Sequence, residues 1–131
     1  MNDYFAKVQS YLLELNYSID RQNEDEGLFM ISNENVGIRN LVIICASPLL
    51  IMEQFLFEIN TGSEDVYKNL LIKNRDIVHG AFALDETGTK VIFRDTLEIE
   101  NLDLNELEGS INSLSLLLGE YSDELIAFAK L

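Results

Sequence analysis

Ile38-Arg39-Asn40-Leu41-Val42-Ile43-Ile44-Cys45-Ala46-Ser47-Pro48-Leu49-Leu50-Ile51-Met52-Glu53-Gln54-Phe55-Leu56-Phe57-Glu58-Ile59 is the stretch that decides the fold. Its most apolar window, Leu41 to Met52, falls well short of the roughly 20 residues that a membrane-spanning helix needs, and Pro48 interrupts it. β-Branched Val42, Ile43 and Ile44 favour strand. Ser47-Pro48 favours a tight reversal or an edge bulge, so two strands are expected, Ile38 to Ala46 and Leu49 to Ile59. Leu41, Ile43 and Cys45 fall on one face of the first, and Val42, Ile44 and Ala46 on the other. A strand apolar on both faces needs cover on both. Helices of the same chain can supply one layer, and the other face calls for a partner.

Before this pair, Leu28 to Ser32 reads as a third strand, ended by the turn-forming Asn33-Glu34-Asn35. The polar stretch Asp20 to Gly27 reads as a loop. Tyr4, Phe5, Val8, Tyr11, Leu12 and Leu15 recur at helical spacing and predict a first helix, with Asn2 or Asp3 as its cap. A second helix follows Thr61-Gly62-Ser63, where Thr61 with Glu64 matches a capping box and Ser63 is a rival cap. Val66, Leu70 and Ile77 form its apolar stripe, with Tyr67 and Leu71 beside it. Ala81 to Asp85 and Lys90 to Ile99 then flank a hairpin turn in which Gly88 can take positive φ.

The last helix carries the strongest periodicity. Asp103 and Glu106 form a capping box, and Leu104, Leu107, Ile111, Leu114, Leu118, Tyr121, Leu125 and Phe128 repeat at steps of three and four. The seam runs through Gly119, which marks a weak point, and Glu108, Glu120, Asp123 and Glu124 form an acidic outer face. Leu116 lies off the seam, free to contact another chain. The order is α-β-β-β-α-β-β-α, an α+β arrangement expected to form a single domain over residues 1–131.

Composition bounds the function. The 131 residues carry 23 acidic against 9 basic side chains, a formal charge of −14. That balance argues against nucleic acid and against anionic membrane surfaces as partners. Lone Cys45 excludes an internal disulfide or a thiolate metal cluster and suits a reducing, cytoplasmic setting. No signal peptide is visible in Met1-Asn2-Asp3-Tyr4.

Chemistry is hard to find. His79 is the only conventional general base, and it has no nucleophile motif around it. No phosphate loop is present, and Asn23-Glu24-Asp25-Glu26-Gly27 lacks the ligand spacing of a calcium loop. No cofactor, metal site or catalytic residue is expected. An enzyme or small-ligand sensor would need polar groups converging on the sheet, and Glu53, Glu58, Arg94 and Asp95 are the candidates.

The topology and one run of residues together resemble a known group. Leu70-Leu71-Ile72-Lys73-Asn74, leading to Gly80-Ala81-Phe82-Ala83-Leu84-Asp85, then Gly88 and Val91-Ile92-Phe93, is similar to the YbjN branch of the type III secretion chaperone-like (CesT, Tir-chaperone-like) superfamily. Leu97 to Asp103 and the leucine-rich helix after it are similar too. The resemblance covers the whole chain in topology and residues 66–128 in motif. It implies an antiparallel sheet packed by N- and C-terminal helices, a homodimer, and a fold that holds extended segments of other proteins without turnover. It carries over no catalytic residue. The expected role is a non-enzymatic protein-binding domain, a dimeric chaperone-like or regulatory adaptor. Tyr67, Leu71 and Leu116 are the expected partner or dimer contacts, and a small-ligand sensor or enzyme with a pocket on the sheet face is the alternative.

Overall fold

The computed structural model describes residues 4–59 and 64–129. Helix α1 (Phe5–Glu14) leads into β1 (Ser18–Asn23), β2 (Leu28–Asn33), a short 3-10 turn (Glu34–Val36), β3 (Ile38–Ala46) and β4 (Leu49–Glu58). Helix α2 (Glu64–Asn74), the hairpin β5 (Ala81–Leu84) and β6 (Lys90–Glu98), and α3 (Leu104–Ala129) complete the chain. The strands form one antiparallel sheet in the order β1-β2-β3-β4-β6-β5. The α+β class and the flanking helices agree with the sequence.

One strand is a correction. The stretch from Asp20, expected as loop, lies in β1 as far as Asn23, and only Glu24–Gly27 turns. β1 pairs with β2 alone, its side chains are mostly exposed, and its register slips between Ile19 and Arg21. An edge strand exposed on both faces needs no apolar alternation, so the usual signal is missing. Asp20 accepts from Ser18 Oγ at 2.9 Å and from Ser32 Oγ at 2.6 Å, which ties it to β2.

Strands β3 and β4 form the pair read from sequence, with Ala46 opposite Leu49 across Ser47-Pro48, whose peptide bond is cis. Leu41, Ile43 and Cys45 are buried, whereas Val42 and Ile44 are only half-buried and Ala46 is exposed. The inward set meets Phe5, Val8 and Leu12 of α1, Val66 and Leu70 of α2, and Leu107, Ile111 and Leu114 of α3 in a single core. Phe5 stacks on Phe29 with ring centroids 4.3 Å apart. All three helices therefore bury their apolar stripes against the same face of the sheet.

The caps and helix ends differ in detail. Tyr4 occupies the N-cap of α1 and makes no side-chain capping bond, while Asn2 and Asp3 lie outside the described residues. So do Thr61 and Ser63, the proposed caps of α2. Asp103 caps α3 as expected, accepting from the Glu106 N–H at 2.7 Å. Helix α3 runs unbroken through Gly119, and Leu117 joins its buried stripe although the seam omitted it. Helix α2 ends at Asn74, so Ile77 packs on the core from the following loop.

The motif behind the family resemblance has a packing explanation. Asn74 at the end of α2 donates to Phe82 O at 3.2 Å and accepts from Phe82 N–H at 2.8 Å, fastening the edge strand β5. Gly80 has φ +81°, and a Cβ there would sit 2.3 Å from Phe93 Cζ. Gly88 takes φ +75° in the hairpin turn. In that turn the Thr87 hydroxyl donates to Asp85 and holds its carboxyl below the usual carboxylate range.

Candidate protein-binding surfaces

Three apolar surfaces remain after the core is closed. The first is the sheet face opposite the helices. The register sets Met30 beside Val42, Ile44 beside Ile51, and Phe55 beside Ile92, an apolar band crossing four strands. None of these six side chains is buried, and Phe55 is 55% exposed. The described residues leave this face open. Arg94 pairs with Glu53 across β4 and β6 on the same face, so the band carries a neutralised charge pair within a strongly acidic protein.

The second surface lies where α2 meets β5. A depression of about 290 Å³ is lined by Tyr67, Leu70, Leu71, Phe82, Ala83 and Leu84. Leu71 is 70% exposed, Leu84 and Val78 are exposed nearby in sequence, and Tyr67 is fixed by donating its hydroxyl to Gly88 O at 3.0 Å. β5 ends the sheet, with β6 as its paired strand among the described residues, and the Asn74 side chain already takes the N–H and C=O of Phe82 on it. The structure thus brings Tyr67 and Leu71 together. Leu116 is 73% exposed on α3 but lines neither this depression nor the groove described next.

The third surface escaped sequence reasoning. A groove of about 700 Å³ runs between the C-terminal half of α3 and the turn Asn35–Gly37 with residues 54–57 of β4. Its register slip between Phe55 and Phe57 comes from a bulge, and no sequence pattern announces where a bulge will turn side chains. Exposed Ile126 on the helix was the available signal, since it lies off the seam as Leu116 does.

The four candidate polar residues do not converge on one pocket. Glu53 and Arg94 sit on the open face, whereas Asp95 points to the helix side and accepts from buried Ser110 Oγ. Glu58 is exposed at the end of β4. His79 is exposed, and its carbonyl accepts from Ser113 Oγ at 2.8 Å. Burial pushes the Cys45 thiol up to about 11, which leaves it protonated and unreactive at neutral pH. Among the described residues no three His, Cys, Asp or Glu side chains are grouped to hold a metal ion. No described helix is long and apolar enough to cross a membrane.

The described residues form a helix-backed antiparallel sheet, similar in fold to type III secretion chaperone structures. The chain belongs to the CesT_Tir_1 family, whose model matches residues 1–131. Among solved structures it is similar to YbjN from E. coli, described as a proposed transcription regulator, with a TM-score of 0.69 and 12% identity over 91% of each chain. It is also similar to a chain of the HopA1–SchA chaperone–effector complex, with a TM-score of 0.60 and 14% identity over 97% of this chain and 94% of that one. The Yersinia pestis type III secretion chaperone SycH, in complex with a fragment of YscM2, gives 0.58 and 18% identity over 95% and 98%. At these identities the likeness establishes the fold. No curated protein matches the chain.

Proposed function

We propose that this protein is a non-enzymatic, cytoplasmic polypeptide-binding protein, a homodimer that acts as a chaperone-like or regulatory adaptor. The observation that carries the reading is the open sheet face, an apolar band that none of the described helices covers. Such a face gains free energy from any apolar segment laid on it, at about 25 cal/mol per Å² removed from water. The formal charge of −14 keeps the protein in solution while that face stays exposed. Family membership supports the reading, and so does the likeness to chaperones solved with an effector or a partner fragment. The depression at Tyr67 and Leu71 is the proposed contact between the two copies. Leu116 is a proposed second contact, placed on α3.

Affinity purification of the tagged chain from its native cell, with mass spectrometry of what co-purifies, tests this. One protein enriched in near-equal amount marks a dedicated client, and a broad set marks a general holdase. If nothing co-purifies, the polypeptide-binding reading is lost. Light scattering on the purified chain decides the dimer separately, since a monomer mass at micromolar concentration refutes it.

A further inference from the structure

The groove under the C-terminal half of α3 differs from the rest of the surface in charge. The chain carries 23 acidic residues, yet none lines this groove, and Arg39 is the one ionisable side chain among its lining residues. Helical geometry produces the separation. Leu118, Ser122, Leu125, Ile126 and Ala129 share the side of α3 that faces the groove. Glu124 projects from another side, toward α2, where it meets Lys73, and burial together with Glu120 raises the Tyr121 phenol beside that pair. Of the acidic groups of these turns, Glu124 is held by the neighbouring helix, and none lines the groove.

The remaining polar groups of the groove are already committed. The Gln54 side chain accepts from Arg39 N–H at 3.0 Å and donates to Gly37 O at 3.2 Å, and Ser115 Oγ donates to Val36 O at 2.8 Å. Arg39 makes no salt bridge among the described residues. Between these groups lie Leu118, Leu125 and Ile126, with Ile126 more than half exposed.

From this arrangement we infer that the groove docks a segment of a partner polypeptide that presents apolar side chains beside a carboxylate. The inference rests on the polypeptide-binding reading above and names the chemistry of what is bound. The apolar wall supplies the burial, and Arg39 supplies a guanidinium that pairs well with a carboxylate. A peptide suits a groove open to solvent along its length, because its backbone can stay hydrated where an alkyl chain would need enclosure. No other cation lines the groove, so Arg39 selects the register of the bound segment.

A random peptide display library selected on the full-length chain tests the inference. Enriched peptides are expected to combine apolar residues with Asp or Glu. By fluorescence anisotropy they should bind Arg39→Glu and Ile126→Asp at least about tenfold more weakly, with circular dichroism unchanged, while Arg39→Lys keeps most of the affinity. Peptides without carboxylates, or peptides indifferent to both substitutions, overturn the groove assignment. They would leave the wider reading intact, since they place peptide binding on another surface. Failure to enrich any peptide also overturns it, and the wider reading then stands or falls on co-purification. A drop in oligomer mass caused by Ile126→Asp would assign the groove to a second copy instead.

Discussion

Lys73 of α2 pairs with Glu124 of α3 at 2.6 Å, and the same ammonium lies 5.1 Å from the centre of the Tyr121 ring. A second aromatic, Phe128, stands 6.0 Å away and also touches Phe57, with ring centroids 6.4 Å apart. One cation thereby holds the last turns of α3, where Leu125 is the one buried side chain beyond Leu117 among the described residues. Replacing Lys73 with Gln should cost about 1 kcal/mol, the sum expected for a partly exposed ion pair and a cation–π contact. Hydrogen exchange should locate the loss in residues 120–129, with α1 and the central strands unchanged. Uniform deprotection of the chain would show that the contact is not a local clasp.

Gly80 offers a sharper test of the edge strand. With φ at +81° and Phe93 in the way, an alanine meets both a backbone penalty of roughly 1–2 kcal/mol and an overpacking cost of roughly 1–3 kcal/mol. Gly80→Ala should therefore lower stability by about 2–5 kcal/mol in urea unfolding. Gly88, where a Cβ meets nothing within 4 Å, should lose only the backbone part. Equal losses at the two positions would contradict the role given to Phe93.

Cys45 predicts a pH dependence. Its thiol is raised by burial from an ordinary value of 9.0 to about 11, so the unfolded chain ionises first. The stability tied to the protonated thiol is complete below about pH 9 and declines as pH rises toward about 11. Subtracting the profile of Cys45→Ala from that of the wild type isolates this decline from tyrosine titration. A thiol reagent at pH 8 should react slowly with the native protein and quickly in urea. Rapid native reaction would place the sulfur in solvent.

Leu71 tests the proposed dimer. Leu71→Asp adds a charge to an already acidic chain at a side chain that is 70% exposed, so the fold should survive and the dimer should not. Light scattering should then report a monomer with an unchanged thermal midpoint. Leu116→Asp separates the two proposed contacts, because Leu116 lies outside the α2–β5 depression. A dimer indifferent to both substitutions would move the interface elsewhere.

Much of the fold was legible because apolar periodicity reports burial directly. The seam of α3, the pairing of β3 with β4 and the β5–β6 hairpin all follow from residues that must leave water. Ser18–Asn23 was not legible for the converse reason: an edge strand with exposed side chains leaves no burial pattern to read. Tyr67 and Leu71 were placed correctly beside the apolar stripe of α2, since a helical wheel separates flank from seam. Their distance from Leu116 depends on where α2 and α3 lie across the sheet, which no local spacing records.

The sequence alone determined that this chain is an acidic α+β protein with apolar strands on two sides and almost no catalytic equipment. Local periodicity, capping and composition carry that information, because each depends on residues within a few turns of one another. Tertiary structure decided which side stays uncovered. Three helices converged on one face, leaving Met30, Val42, Ile44, Ile51, Phe55 and Ile92 half open on the other. It also decided where charge is absent, since Glu124 turns to Lys73 and leaves a groove with Arg39 alone. Both outcomes depend on long-range packing, in which residues distant in the chain compete for the same face or partner.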